Sequence, residues 1–382
     1  YFLIESLGVL QTALLAASIN IFIGIFCMLV FKKYEPGTPI DLSIPKPELL
    51  SIQLGKTNLI WITTSFFCGF TSLAYEVVWT RILVFGIGST VYSFSLMLAN
   101  FLLGITVGGL LIVPVFKRNF DFRILLTLFQ FGIGFYLIFS IYQSNWILSS
   151  FIRPLKLESP ISEFWINMQN ASALMSVPTI LFGMSFPVLT HLVTRESEKI
   201  GSSLGIIYGI NTFGGILGSL VAGYLLLPNF GSQQTLIFLA MLNFLTGVLL
   251  FATSSYFTVL VRKGAAITVF GLIILMLLGM PEDLLKGIFM RNSLGKKDPE
   301  KLIYLNEGLT TTVAVFNDND PNFGIKRKSL ILNGVNMSAS HSNSRKYMTL
   351  LSYIPLLLNE NPKDVLVICF GTGLTSGAAG IY

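Results

Sequence analysis

Seven long apolar segments, nearly free of charged residues, dominate this chain of 382 residues. About 20 apolar residues are enough for a helix to cross the hydrocarbon core of a bilayer. The predicted spans are 7–31, 58–83, 89–116, 122–143, 168–193, 203–227 and 233–254. Charged residues make up only 12% of the chain, against about 25% in ordinary soluble domains. This composition excludes a purely soluble enzyme, a disordered protein and a disulfide scaffold.

Basic residues are concentrated in alternate loops between the predicted spans. They are Lys32, Lys33, Lys46, Lys56, Lys117, Arg118, Arg123, Arg195, Lys199, Arg262 and Lys263. The positive-inside rule places such loops in the cytoplasm, so the net charge of +6 reflects membrane orientation and no nucleic-acid partner is expected. We predict an integral protein of a bacterial-type inner or plasma membrane, with the lipid bilayer as its main partner and a homo-oligomer left open.

The chain contains an internal repeat. Residues 1–24 align without gaps on 224–247, with identities that include Gly8/Gly231, Thr12/Thr235, Asn20/Asn243 and Gly24/Gly247. Matching glycine and polar positions favour a repeat over a chance match between apolar helices. We therefore expect a six-helix repeat at 58–254, a cytoplasmic linker at 32–57, and residues 1–31 as the last helix of a truncated first repeat.

Beyond the repeat, the composition becomes that of a soluble domain. An apolar run at 264–280, within a linker at 255–281, is stopped by Pro281. If it spans, the following domain lies outside the cytoplasm. We expect it to be interfacial or re-entrant, which leaves that domain cytoplasmic.

The soluble part is predicted to have two sections. A β-rich module at 282–360 has strands at Thr311–Phe316 and Ser329–Leu332 and an amphipathic helix at 343–358 that Pro355 bends or ends. Residues 361–382 then begin a Rossmann-like α/β domain with a buried strand at Val365–Cys369.

Two charged residues stand out in the second predicted span. Glu76 and Arg81 are five positions apart, about 140° around an ideal helix, so they are not expected to pair. Glu76 either binds a cationic substrate or a proton, or hydrogen-bonds to a neighbouring helix while Arg81 reaches the membrane interface. The two histidines have no partners at metal-ligand spacing, so no metal site is predicted.

A glycine-rich turn follows the predicted strand at Val365–Cys369. Its glycines, Gly371, Gly373 and Gly377, are spaced G-x-G-x-x-x-G, which differs from the dinucleotide fingerprint. The spacing favours a nucleoside ligand such as S-adenosylmethionine over NAD. A plain strand–helix turn without a ligand is the alternative.

Several stretches together resemble one family. GFTSLAYEVVWTRILVFGIGSTVYSFSLMLANFLLGITVGG, GMSFPVLTHLV, YGINTFGGILGSLVAGYLLLPNFG and NPKDVLVICFGTGLTSGAA look like the fused membrane/spermidine-synthase-like proteins, which couple a major-facilitator-like region to a polyamine aminopropyltransferase-like domain. The resemblance implies a methyltransferase-like Rossmann fold that transfers an aminopropyl group from decarboxylated S-adenosylmethionine to an amine such as putrescine. It implies that Gly371, Thr372 and Gly373 lie at the nucleoside.

The glycine loop departs from the family pattern. Thr372 stands where spermidine synthases have an acidic residue, and the family's catalytic aspartate is expected beyond Tyr382, so the chain is read as a fragment with no assigned catalytic residue. A membrane-anchored aminopropyltransferase is the leading prediction. The alternatives are a polyamine or cation transporter with a regulatory nucleoside-binding domain, and an S-adenosylmethionine-dependent methyltransferase on a membrane scaffold.

Overall fold

The computed structural model is mostly helical, with one small sheet near its C-terminal end. It describes residues 2–33, 56–87, 91–118, 120–150, 160–195, 200–253, 258–280, 302–319 and 326–381. The chain divides into two compact units, Tyr1–Gly55 and Lys56–Tyr382. Most of the predicted linker at 32–57, and the first part of the predicted β-rich module, lie outside the described residues.

Among the described residues of the second unit, seven α-helices precede the sheet, and helix α1 (Phe2–Lys33) belongs to the first unit. The seven are α2 (Lys56–Ile87), α3 (Val91–Ile112), α4 (Phe122–Ser150), α5 (Pro160–Arg195), α6 (Ile200–Leu220), α7 (Leu227–Ala252) and α8 (Val259–Leu278). A 3₁₀ turn at Val113–Lys117 extends α3, and a π-helical turn at Val221–Leu226 joins α6 to α7. Among the described residues, six helical segments are long and apolar enough to cross a membrane, and the last of these, Gly201–Ala252, has 52 residues. It contains two of the predicted spans.

The chain turns inside that segment at Gly231. This residue has φ 76° and ψ 172°, a conformation that only glycine adopts without strain. The Thr235 hydroxyl donates to the Gly231 carbonyl at 2.7 Å. At the repeat-related positions, Gly8 has φ 77° and ψ 168° and the Thr12 hydroxyl donates to its carbonyl at 2.8 Å. The two aligned sequences therefore form the same local turn.

Helices α2 and α6 run in the same direction along the bundle. Near the start of both, the Ser65 hydroxyl donates to the Ile207 carbonyl at 2.7 Å. Further along both, Gly218 lies against the Phe70 backbone. Two helices can be parallel only if the chain reverses direction an even number of times between them. The predicted order of the spans meets this condition.

Helix α7 runs opposite to α2, because late residues of α7 lie beside early residues of α2. Trp61 packs in the same buried cluster as Leu250. Further along α2, Tyr75 accepts a hydrogen bond from Asn243 at 3.1 Å. Since α6 is parallel to α2 and α7 antiparallel to it, the chain reverses at Gly231.

One end of the bundle is basic, and we call it the basic end. The Arg123 guanidinium lies 5.1 Å above the Trp61 ring and donates to the Thr253 carbonyl at 3.5 Å. Arg195 lies 5.7 Å from the Phe122 ring centroid. These contacts bring together the starts of α2 and α4 and the ends of α5 and α7. Arg123 and Arg195, which come from loops predicted to lie on the same side of the membrane, therefore lie at the same end of the bundle.

Helix α8 extends from the basic end toward the other end. Val259 follows closely after Thr253 in sequence, whereas a Cβ placed on Gly279 would lie 3.0 Å from the Tyr142 hydroxyl. Tyr142 is about 28 Å along α4 from Arg123, at about 1.5 Å per residue. Helix α8 is not one of the six described segments that are long and apolar enough to cross a membrane, and the interfacial or re-entrant placement of 264–280 stays a prediction.

A four-stranded antiparallel sheet, in the order β1-β2-β3-β4, forms the soluble module. Its strands are β1 (Leu302–Glu307), β2 (Thr312–Asn319), β3 (Lys326–Leu332) and β4 (Val335–Ala339). The predicted strands overlap β2 and β3, which pair with Val313 opposite Leu332. Helix α9 (Ser342–Leu358) confirms the predicted helix, although it continues through Pro355. A proline near a helix end removes only one late hydrogen bond, so the helix persists.

The predicted buried strand at Val365–Cys369 is wrong for the described residues. No strand is assigned there, and Leu366 and Ile368 are 85% and 78% exposed. A strand of a parallel sheet is held by hydrogen bonds to its neighbours, and no described strand pairs with this one. The Rossmann-like sheet therefore stays a prediction.

Candidate functional site

The glycine loop is a tight turn in which glycines occupy left-handed positions. Gly371 has φ 56° and Gly373 has φ 74°, while Cys369, with φ 71°, is one of two non-glycine residues with positive φ in the described chain. The Gly373 amide donates to the Phe370 carbonyl at 2.8 Å. Helix α10 (Leu374–Ile381) follows at once. Glycine is therefore favoured at 371 and 373, as predicted, because the backbone at both positions is left-handed.

This loop lines a cavity of about 680 Å³, together with β3, β4 and α9. Thr372 and Ser338 share a hydrogen bond of 3.1 Å between their hydroxyl oxygens, which joins the loop to β4. Ser352 on α9 also lines the cavity, is 5% exposed, and has a hydroxyl without a hydrogen-bond partner in the described part of the chain. An unpaired buried hydroxyl is costly, so a ligand group that reached this enclosed oxygen would satisfy it.

The cavity wall combines apolar surface with a few polar groups. Its apolar side includes Leu330, Met348 and Leu356. Asp364 is the carboxylate in the lining. Small-molecule sites have this volume and this mixture, in which apolar surface holds a ring system and isolated polar groups orient it. Gly371 and Thr372 line the cavity, whereas the Phe370 ring covers Gly373.

Glu76 lies within the bundle near the contact between α2 and α3. It is half-buried, and no described residue donates a hydrogen bond to its carboxylate or forms an ion pair with it. One turn away, the Thr80 hydroxyl donates to the Glu76 carbonyl at 2.8 Å and lies 3.9 Å from the Met97 sulfur of α3. The predicted hydrogen bond from a neighbouring helix to the Glu76 carboxylate is therefore absent from the described structure.

A second unsatisfied polar group lies at the same depth as Glu76. Asn100 is 3% exposed, and its amide nitrogen has no partner among the described residues. Consecutive helices α2 and α3 run in opposite directions, so Glu76 and Asn100 are each one turn further into the bundle than the Thr80–Met97 contact. A carboxylate and an amide at one depth can bind a cation or a proton donor.

Arg81 points away from Glu76 and contacts the sheet. Its guanidinium donates to the Gly308 carbonyl at 3.0 Å and to the Leu309 carbonyl. The Glu307 carboxylate interacts electrostatically with it. As predicted, Glu76 and Arg81 do not pair, and Arg81 reaches the end of the bundle.

Sequence reasoning missed the acidic partner at this junction. The Ser232 amide donates to one carboxylate oxygen of Glu307 at 2.7 Å, and the Ser232 hydroxyl donates to the other. Ser232 directly follows the turn at Gly231, and serine at the start of a helical arm is a recognisable signal. Nothing in the sequence pattern points to a carboxylate 75 residues away.

The interior of the bundle contains hydrogen bonds between helices. The Asn243 amide donates to the Tyr75 hydroxyl at 3.1 Å and to the Leu239 carbonyl at 2.9 Å. The Thr71 hydroxyl lies 3.4 Å from the Asn243 side-chain oxygen. These bonds join α2 to α7, and Tyr75 and Asn243 are almost fully buried.

No family model, curated protein or solved structure matches the chain. Within the described residues, no group of three or more His, Cys, Asp or Glu side chains is placed to hold a metal ion. The structure brings Gly371 and Thr372 together at the cavity and places Glu76 separately in the bundle. The described residues therefore provide two candidate sites, the cavity at the glycine loop and the region around Glu76.

Proposed function

We propose that the chain is a membrane-anchored aminopropyltransferase of the spermidine-synthase-like type, acting on decarboxylated S-adenosylmethionine and an amine such as putrescine. The observation that supports this most is the cavity beside Gly371 and Thr372, with its unpaired Ser352 hydroxyl. The cavity has a volume suited to a nucleoside, and the loop brings backbone close to it. The sequence resemblance supplies the substrate class.

The chemistry makes simple demands on the cavity. The neutral amine nitrogen of the acceptor attacks the aminopropyl carbon bonded to the sulfonium, that carbon–sulfur bond breaks, and its electrons stay on sulfur to give a neutral thioether. The new ammonium then loses a proton to water. The Asp364 carboxylate in the cavity lining would hold the second ammonium of a diamine and orient the attacking nitrogen.

Ligand binding to the full chain in detergent tests this proposal. Calorimetry with decarboxylated and intact S-adenosylmethionine compares wild type with Ser352→Ala, Thr372→Val and the control Ser344→Ala, which lies on α9 outside the cavity lining. Tighter binding of the decarboxylated form, weakened in the two cavity variants but unchanged in the control, supports the proposal. Preference for the intact form supports a methyltransferase, and binding of neither form refutes both.

An amine or cation transporter is the second candidate. It is favoured by the unpaired Glu76 carboxylate at the depth of the unpaired Asn100 amide. The position of the sheet also favours it, because the sheet contacts Arg81 and Ser232, at the opposite end of the bundle from Arg123. The positive-inside rule would put the basic end in the cytoplasm and the cavity outside, away from cytosolic S-adenosyl ligands.

The side of the membrane separates the two candidates. Cys369, next to the cavity, is exposed, whereas Cys68 is buried in the bundle. A membrane-impermeant maleimide applied to intact cells that express a Cys27→Ser variant reports on Cys369. Labelling in intact cells counts against the cytoplasmic enzyme, and labelling only after permeabilisation counts against the outward-facing arrangement.

Uptake of labelled putrescine tests the transporter directly. Glu76→Gln removes the charge with little change in shape, and Glu360→Gln is a matched control on the exposed surface of the soluble module. Uptake lost in Glu76→Gln but retained in Glu360→Gln supports a transport path through Glu76. Uptake that persists in Glu76→Gln excludes a required role for this carboxylate.

A further inference from the structure

The turn between β1 and β2 holds the sheet on the end of the bundle. Glu307 binds Ser232 through both carboxylate oxygens, and the next two carbonyls, of Gly308 and Leu309, accept hydrogen bonds from Arg81. We propose that this turn is a latch through which the cavity and the membrane bundle act on each other. The inference goes beyond the proposed function, because it applies whichever ligand either part binds.

On the bundle side, the latch binds the part of α7 that begins at Ser232, which we call the helical arm. The first amides of a helix have no acceptor within the helix and carry a partial positive charge. Glu307 accepts the Ser232 amide hydrogen and brings a negative charge to this position. The turn at Gly231 places the start of the arm at the bundle end, so the arm and the carboxylate stabilise each other.

On the sheet side, the turn is short and well braced. The Gly308 amide donates to the Thr311 carbonyl at 3.0 Å, which closes the turn. A second turn, between β3 and β4, approaches the end of α2, since a Cβ on Gly334 would lie 3.6 Å from the Phe85 ring. Two adjacent turns of one sheet therefore contact the same end of the bundle.

The sheet connects this contact to the cavity. Strand β2 follows the latch turn and pairs with β3 along its length, and β3 pairs with β4. Leu330 of β3 and Ser338 of β4 line the cavity. A displacement of the latch turn therefore moves the cavity wall, because hydrogen-bonded strands move together.

Arg81 connects the same contact to the interior of the bundle. It lies on α2 about one and a half turns beyond Glu76 and Tyr75. Tyr75 in turn binds Asn243 on the arm that begins at Ser232. The two bundle residues that the latch binds are Arg81 on α2 and Ser232 on α7. These two helices also contact each other at the buried hydrogen bond between Tyr75 and Asn243.

Coupling of this kind is reciprocal, so it can be tested from both sides without a ligand. Hydrogen exchange of the full chain in lipid nanodiscs is measured for segments 231–236 and 312–316. Glu307→Ala, a change in the sheet, is expected to speed exchange at 231–236 on the order of tenfold, because two charge-assisted bonds are lost. Arg81→Gln, a change in the bundle, is expected to speed exchange at 312–316 in the same way.

Matched variants keep the test decisive. Glu360→Ala and Lys263→Gln remove exposed charges away from the latch and should change neither segment. Glu307→Gln keeps the shape of the side chain and should give a smaller change, which covers the case in which Glu307→Ala does not fold. The proposal is overturned if each variant alters exchange only in its own part of the chain. Because no ligand is used, this outcome is independent of nucleoside binding and of transport.

Discussion

Replacement of Gly231 by alanine tests the turn and the latch together. Gly231 has φ 76° and ψ 172°, where a residue with a Cβ is strained by about 1–3 kcal/mol. The new Cβ would also lie 2.7 Å from the Glu307 carboxylate, closer than two such atoms can approach. The carboxylate must therefore move away from Ser232, and loss of its charged hydrogen bonds costs about 1.5–3 kcal/mol. We expect Gly231→Ala to lower the free energy of unfolding by roughly 2.5–6 kcal/mol.

A glycine inside a regular helix provides the control. Gly209 lies in α6 with open space around its Cα, so Gly209→Ala should raise the stability by about 0.5–1 kcal/mol. Reversible unfolding in mixed micelles with increasing dodecyl sulfate, followed by tryptophan fluorescence, measures both variants. Repeating Gly231→Ala in a Glu307→Ala background separates the two contributions. In that background only the backbone strain of about 1–3 kcal/mol should remain.

Two results would refute this reasoning. If Gly231→Ala is as harmless as Gly209→Ala, the chain does not turn at Gly231 with a left-handed backbone. If its cost is the same with and without Glu307, the carboxylate does not contribute to stability where it contacts Ser232.

Two further substitutions and one labelling experiment test the packing of the described chain. Asn243→Ala should cost about 1–3 kcal/mol of unfolding free energy in the same micelle assay, because the Tyr75 hydroxyl loses its buried partner; an unchanged value would contradict the network. A Cβ on Gly218 would overlap the Phe70 backbone, so Gly218→Val should abolish folding or cost several kcal/mol, whereas Gly209→Val should be mild. Thiol labelling of the folded chain should modify exposed Cys369 quickly and buried Cys68 only after denaturation; equal rates would contradict their burial.

The helices of the bundle could be predicted because lipid imposes a strong pattern on sequence. Apolar length predicts where helices lie, and the basic loops predict which ends lie together, as Arg123 and Arg195 now show at one end. Amphipathic period and turn residues likewise predicted α9 and the conformation of the glycine loop. These features depend on neighbouring residues along the chain, and the sequence therefore contains their signal.

The junction between sheet and bundle could not be predicted, because its partners are far apart in sequence. Ser232 and Glu307 are separated by 75 residues, and no spacing rule relates a helix start to a strand end. The strand expected at Val365–Cys369 failed for a related reason. An apolar run records a preference for burial, but strand pairing depends on partners elsewhere in the chain.

Helix α2 explains why residues so close in sequence contact different parts of the protein. Successive residues of a helix point about 100° apart, so Tyr75 and Glu76 face different neighbours, and Arg81 lies about 140° further from Glu76. Tyr75 accordingly joins the buried network at Asn243, Glu76 stays unpaired near α3, and Arg81 binds the sheet. The same spacing keeps Glu76 and Arg81 from neutralising each other, so Glu76 has no partner among the described residues while Arg81 binds the turn between β1 and β2. We therefore expect substitution of Glu76 to be detected in putrescine uptake and substitution of Arg81 to be detected in hydrogen exchange at 312–316.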